Sequence, residues 1–443
     1  MVHAIGIRRE DKNEWERRVP LAPQHVAKLV RDHGISVYVQ PSTIRVFSDD
    51  LYRAAGAVVQ EDLSPCRIVL GVKEMPSEFF QKGVLYLFFS HTIKGQPHNM
   101  PMLRALMDAQ AHLLDYERIV DANGRRLVLF GHFAGLSGMV ESLHALGRRL
   151  ASQGYALQDN PFFDVKQPYT YGRVTAALQA IQATAGRHIA QKGLSPHLAP
   201  LVIGVLGYGN VARGALGVLE KCFPVKYLRP EDLLVHRMRP ETARVVHVVV
   251  FEEKDTVRHR DGAPFDLQDY WNHPEKYEAA FARWLLHVTV LINAIYWNPR
   301  YPVLVTAEDL RKLYQSPEPK LKVIGDITCD LEGSIAVTRK ATSPSHPCYV
   351  YDTQTDALLD DITLGHGPVI MAVDNLPCEF PWESSEAFGK ALMPYLPHLC
   401  RIDLEEPDAV NRLPRPLQSA LIVRCGTLMP DYAYLHYEVQ KFA

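Results

Sequence analysis

No apolar run in this 443-residue chain reaches the ~18 residues that a membrane-crossing helix needs. Nor is there a block of one charge. The 48 basic residues are interspersed with 50 acidic ones, for a net charge of −2, which argues against a nucleic-acid arm or a membrane-binding patch. Cysteine is sparse. Cys66, Cys222, Cys329, Cys348, Cys378, Cys400 and Cys425 are odd in number and include no CxxC pair. That is a poor disulfide framework and a poor zinc pattern, and it reads as reduced thiols in an intracellular compartment. Internal repeats and low-complexity tracts are missing. The opening MVHAIGIRRE has no features of a signal or transit peptide, although trimming would remove one and its lack says little about compartment. What is present is ordinary globular material, 47% hydrophobic and 22% charged. At roughly 100–200 residues per domain the length suggests two or three domains.

Short apolar runs alternate with helical patterns. Strands are expected at 3–8, 36–40, 68–72, 84–89 and 112–117, with a helix over 21–34 that ends on Gly34. Such alternation predicts an open, mostly parallel α/β sheet. A long helix follows over about 136–154, its apolar face carried by Met139, Leu143, Leu146 and Leu150, and suited to connect two domains. A second helical pattern covers 173–186. Further strands are expected at 201–206, 244–251, 288–296 and 321–328, and one leading into a turn lies within 366–377. An acidic helix is expected at 382–396, and the tail 427–443 reads as linker-like helix.

The run GVLGYGNVARG (204–214) follows an apolar strand and opens a helix. Gly207 permits a tight turn, Gly209 lets backbone approach a pyrophosphate, and Ala212 is small enough for helix-on-strand packing. Asn210 and Val211 begin the helix whose free N–H groups would face the phosphates. The alternative is a glycine-rich turn that holds nothing. After that helix, VKYLRPEDL (225–233) is the expected second strand, and it ends on Arg229. Arginine at that place accommodates the 2′-phosphate of NADP, where an acid would bond the 2′-hydroxyl of NAD. Arg229 therefore favours NADPH/NADP+, unless it is a solvated turn residue and Glu231 or Asp232 is the reader.

Two apolar strands end on titratable groups: IVLGVKEMP (68–76) on Lys73, and LFFSHTIKGQ (87–96) on His91 with Lys94 beyond. The segment 8–23 adds Arg8, Arg9, Arg17 and Arg18. Ligands of open α/β sheets bind outside the carboxyl ends of the strands, so these cations suit a substrate with more than one carboxylate. Many of the arginines are simply solvated, and a histidine at a strand end is more often a packed polar residue.

Taken in order, RRVPLAP, GVKEMP, FFSHTIKGQ, LGYGNVARGA and DNLP with PWESSEAFG resemble the alanine dehydrogenase / saccharopine dehydrogenase superfamily. WERRVPLAP, FFSHTIK, LINAIYW, GDIT and DNLP are most similar to the lysine–2-oxoglutarate reductase portion of bifunctional α-aminoadipic semialdehyde synthases. The resemblance implies two Rossmann-like, doubly wound parallel-sheet domains with a cleft between them. The substrate domain would be 1–135 plus about 377–443, and the dinucleotide domain 136–376. It also implies NADPH-dependent condensation of L-lysine with 2-oxoglutarate to saccharopine. Lys73 and His91 would be the acid–base pair. Arg18, with Arg8 and Lys94 beside it, would bind substrate carboxylate. Asn293, Ile295, Tyr296 and Asp326 would lie on the nicotinamide side. A mitochondrial matrix location, with cytoplasm as the alternative, follows from the same resemblance. A homo-oligomer and fusion to a saccharopine dehydrogenase domain are compatible with it. Bifunctional members continue into that second dehydrogenase, so this chain is expected to be either monofunctional or separated from it. The alternatives are another dehydrogenase of the superfamily, using alanine or acting on saccharopine with NAD, and an NADPH-binding sensor without chemistry.

Overall fold

The computed structural model describes residues 2–235 and 243–441. The chain forms two compact units, one of residues 1–130 with 381–443 and one of 131–380.

In the first unit, short runs of Ile, Val, Leu and Phe form β1 (Ile5–Ile7), β2 (Val37–Val39), β3 (Val58–Val59), β4 (Ile68–Leu70), β5 (Leu85–Phe88) and β6 (His112–Asp115). The central runs are buried throughout, as expected for a parallel sheet covered on both faces. The sheet has eight strands. Its parallel part runs β6-β5-β4-β1-β2-β3, and two strands from the far end of the chain, Leu421–Arg424 and Thr427–Leu428, complete it beyond β6. Leu421–Arg424 pairs antiparallel with β6 across a register shift. The tail is therefore not the expected linker-like helix. Thr427–Leu428 closes a hairpin, and helix follows only as a 3-10 turn at Pro430–Tyr432 and an α-helix at Leu435–Gln440 among the described residues, with Leu435 and Val439 buried. The last two residues of that expected segment, 442 and 443, lie outside the described residues. Helix α1 (Pro23–His33) has proline in its first turn and ends on Gly34 at φ 63°, whose N–H donates to the Val30 carbonyl. The returning helix Pro381–Leu392 stacks Phe388 on Phe130, with ring centroids 4.4 Å apart.

The second unit is built on β7 (Val202–Leu206), β8 (Val225–Leu228), β9 (Val246–Phe251), β10 (Val290–Asn293), β11 (Val323–Asp326), β12 (Cys348–Tyr351), β13 (Leu358–Leu359) and β14 (Val369–Met371). Their order is β13-β12-β14-β11-β10-β7-β9-β8. The six from β14 to β8 are parallel, while β12 runs antiparallel to β13 and β14. The long helix α2 (Gly131–Ser152) begins a turn earlier than its apolar periodicity indicates. The reason is glycine packing against α3 (Asn210–Cys222). A Cβ on Gly135 would fall 1.8 Å from the Val211 carbonyl oxygen, and one on Gly214 would fall 2.0 Å from that of His132. The expected helix at 173–186 continues through a π turn to Gln191. Among the described residues, no helix is long and apolar enough to cross a membrane.

Candidate active site

In the first unit the carboxyl ends of β1, β4 and β5 gather a charged set. Beyond β4, the N–H groups of Val72 and Lys73 donate to the Glu10 carboxylate at 2.7 and 3.0 Å. Burial, reinforced by the charge of Glu16, pushes Glu10 up to about 7. Glu16 is itself buried and holds Arg18 with two bonds, 2.7 and 2.6 Å long. The Arg18 guanidinium also lies 4.3 Å over the Phe130 ring. Lys73 is half-buried beside this pair. Its ammonium has no hydrogen bond or ion pair among the described residues. Burial lowers its pKa, and the charge of Arg18 lowers it further.

The next residue, Glu74, joins the two strand ends. One oxygen meets His91 Nδ1 at 2.7 Å and the other accepts from Lys12 Nζ at 2.8 Å. Burial opposes its ionisation. The bonds from His91 and Lys12 outweigh that and hold the carboxyl well below the usual range. An ionised carboxylate only accepts, so His91 Nδ1 carries a proton and Nε2 is the atom left for a substrate. His91 sits at φ 49°, and Asn99 Nδ2 donates to its carbonyl at 3.2 Å. Residues on both sides lock the turn. The Ser90 N–H and hydroxyl donate to Asp115, and the Ser90 and Thr92 hydroxyls are 2.8 Å apart. Burial raises Asp115 to about 6, with Ser90 pulling the other way.

Two expected substrate contacts are not bonded to this set among the described residues, although the charge of Arg8 acts on Glu10. Arg8 is buried, where it donates to the Arg9 carbonyl at 2.8 Å, pairs with Asp11 and covers Phe79. That makes it a fastener of its own turn. Lys94 is exposed, and no bond ties it to the set. Sequence reasoning assigned no role to Glu10, Glu16 or Glu74. Glu74 adjoins Lys73 and was within its reach.

In the second unit Gly207 has φ 93°, which favours glycine, and a Cβ there would crowd the Ala294 carbonyl and Ile295. Gly209 caps α3 and has open space where a side chain would stand. The amides of Gly209, Asn210, Val211 and Ala212 precede the first intrahelical bond, from the Arg213 N–H to the Gly209 carbonyl. Amides at a helix start, with open space beside Gly209, fit a pyrophosphate. Ala212 is buried against the sheet. Ile295 and the exposed Tyr296 lie on the loop beside Gly207.

Three expected cofactor contacts are bonded to other side chains. Asn293 and Asp326 are fully buried. Asn293 Nδ2 donates to Asp326 and to Ser334, both at 2.8 Å, and the Thr338 hydroxyl donates to Asp326 at 2.6 Å. Burial raises Asp326 to about 6. Their side chains hold the loops after β10 and β11 from inside. Arg229 follows β8, which is the edge strand and not the neighbour of β7. Its exposed guanidinium pairs with Asp232 of its own turn at 3.1 Å.

A glycine turn opening a helix in one α/β unit, and a charged set at strand ends in the other, are features of a dinucleotide-binding α/β protein. Family models agree. The alanine dehydrogenase/PNT N-terminal domain matches residues 6–137, and the alanine dehydrogenase/PNT C-terminal domain matches 238–431. The chain belongs to the alanine dehydrogenase/PNT family. It is 34% identical to the mitochondrial α-aminoadipic semialdehyde synthase of Rattus norvegicus, over 97% of this chain and 47% of that protein. With the synthase of Arabidopsis thaliana it shares 36%, over 97% of this chain and 41% of the relative. The chain thus spans under half the length of these relatives. A saccharopine dehydrogenase [NAD(+), L-lysine-forming] of Emericella nidulans is 29% identical, over 88% of this chain and 91% of its own. Among solved structures, an L-alanine dehydrogenase superposes with a TM-score of 0.59 at 20% identity, over 98% of this chain and 99% of that one. The transhydrogenase from Sinorhizobium meliloti gives 0.53 at 15%, over 97% and 99%. Both show the same fold.

Proposed function

We propose that the protein is a lysine–2-oxoglutarate reductase, which condenses L-lysine with 2-oxoglutarate and reduces the imine to saccharopine. The observation that carries this reading is the unpartnered Lys73 ammonium beside the Glu74–His91 pair at adjacent strand ends. The ε-amine of lysine, with a free pKa of about 10.4, must lose a proton before it attacks the keto carbon. His91 Nε2 takes that proton while Nδ1 stays on Glu74. The same atom returns it to the carbinolamine hydroxyl, so that water leaves and the imine forms. Lys73, its pKa lowered by burial and by Arg18, supports one of these transfers or holds a substrate carboxylate. Arg18, fixed by Glu16, presents a cation for another. A reduced nicotinamide dinucleotide, bound at the glycine turn, supplies the hydride. Lysine brings one carboxylate and 2-oxoglutarate two, which a cationic strand-end set suits. The rat relative is named as mitochondrial, and the mitochondrial matrix is the compartment proposed here, with cytoplasm the alternative.

The test is cofactor oxidation followed by absorbance. Lysine alone, 2-oxoglutarate alone, both together, and pyruvate with ammonia are each offered with NADPH and with NADH. Loss of absorbance only with lysine and 2-oxoglutarate together is expected. Turnover of pyruvate with ammonia would replace this reading with an alanine dehydrogenase. No turnover in any mixture, with cofactor still bound, would make the protein a sensor.

A further inference from the structure

Sheet order decides which residue meets the adenine ribose. The strand beside β7 is β9. Leu206, at the end of β7, pairs in register with Phe251 at the end of β9, and the Gly207 N–H donates to the Phe251 carbonyl at 3.0 Å. The residue after Phe251 is Glu252. In dinucleotide folds the residue ending the strand beside the first one reads the ribose: an acid bonds the 2′-hydroxyl, and a 2′-phosphate needs a cation.

Glu252 is placed to do this. Its N–H donates to the Asp255 carboxylate at 2.8 Å, which fixes its backbone. Its half-exposed side chain pairs with the surface Lys254 at 2.9 Å, and its charge reaches Asp255 and Tyr208. Glu253 accepts from the Tyr208 hydroxyl at 3.2 and 3.3 Å, which ties the middle of the glycine turn to the same corner. The charge of Glu231 also reaches Lys254 and Asp255. A 2′-phosphate, carrying nearly two negative charges near neutrality, would enter a corner that already holds several carboxylates. Arg229 offers it little. β8 ends at Leu228, level with Val249 and two residues short of Phe251.

We propose that Glu252 reads the adenine ribose and that the protein selects NADH over NADPH. This rests on the dinucleotide site of the reading above and not on which substrates are condensed. Direct titration tests it, following fluorescence of the bound nicotinamide with no lysine or 2-oxoglutarate present. A failed condensation assay would therefore leave the answer intact. The wild-type protein is expected to bind NADH roughly tenfold or more tighter than NADPH. Glu252→Gln should narrow the gap, Glu252→Arg should reverse it, and Arg229→Ala should leave both affinities in place. Tighter NADPH binding that Arg229→Ala abolishes would overturn the proposal. So would equal affinities that do not respond at Glu252. Binding of neither nucleotide would overturn it together with the dinucleotide site. Should Glu252→Arg fail to fold, the wild-type ratio and Glu252→Gln still decide.

Discussion

In the proposed mechanism, proton traffic in the first unit turns on one side-chain pair. His91 occupies a left-handed backbone conformation that a non-glycine residue adopts only when its surroundings hold it there, and Asn99, Ser90 and Asp115 do so. Glu74 then fixes the tautomer. Replacing His91 with Asn should reduce turnover by about 10²–10⁴-fold, with dinucleotide binding unchanged in the same fluorescence titration. Glu74→Gln keeps the shape, but an amide can donate as well as accept, so Nδ1 no longer has to carry the proton. The expected result is a fall in kcat on the order of tenfold or more with a smaller change in KM. Lys73→Arg separates the two roles left to Lys73. Arginine keeps the charge and cannot give up a proton. A retained KM with a lost kcat would assign proton transfer, and retention of both would assign carboxylate holding. Lys73 and His91 were legible in the sequence because each follows an apolar run. Of the acids beside them, Glu74 was within reach as the neighbour of Lys73, and Glu16 was not. Glu16 sits in a stretch of mixed charge that reads as solvated surface, and only the fold buries it against Arg18.

At the scale of elements, α2 carries two features that its apolar periodicity hides. One is the glycine contact with α3. Gly214→Ala would press a methyl into the His132 carbonyl, and a cost of about 1–3 kcal/mol in denaturant unfolding of the second unit is expected. The other is Glu141, fully buried on α2, which with Glu379 of the turn Leu376–Glu379 makes a pair of acids in one apolar region. Burial raises Glu141 from 4.5 to about 8. It raises Glu379 as well, and there the charge of Glu141 adds to the effect. A carboxyl raised in the fold keeps its proton after the unfolded chain has lost it. Its contribution is therefore full below the unfolded value of 4.5 and declines as pH rises toward about 8. Thermal scans should show the second unit weakening over that interval. Glu141→Gln, neutral at every pH, should flatten the decline by about 1–3 kcal/mol at its alkaline end. An unchanged slope would mean the pair is ionised in the fold.

For the whole molecule, alternation of strand and helix was enough to read the α/β class, because each buried parallel strand is a self-contained apolar run. Sheet order was harder, since neighbours in a sheet need not be neighbours in the chain. VKYL comes directly after α3 and was taken as the second strand, yet Lys226 and Tyr227 are exposed at the sheet edge, while VHVVVF lies inside. A near-continuous apolar run marks a central strand and a mixed one an edge, and that contrast was available. The return of 381–443 was not legible from local pattern. LIVR at 421–424 is too short to declare which sheet it joins, and its partner β6 lies some three hundred residues earlier. That return is what completes the first unit. Without it β6 would present a bare hydrogen-bonding edge, and Phe130 would lose its stacking partner Phe388. A chain ending at Phe380 should therefore leave the first unit unfolded while the second, whose residues are all present, stays intact. Amide exchange would read the two separately, with protection lost across β4–β6 and kept across β7–β11, and dinucleotide still bound. Protection persisting at Leu113 and Leu114 would mean that the parallel strands hold the first unit together by themselves.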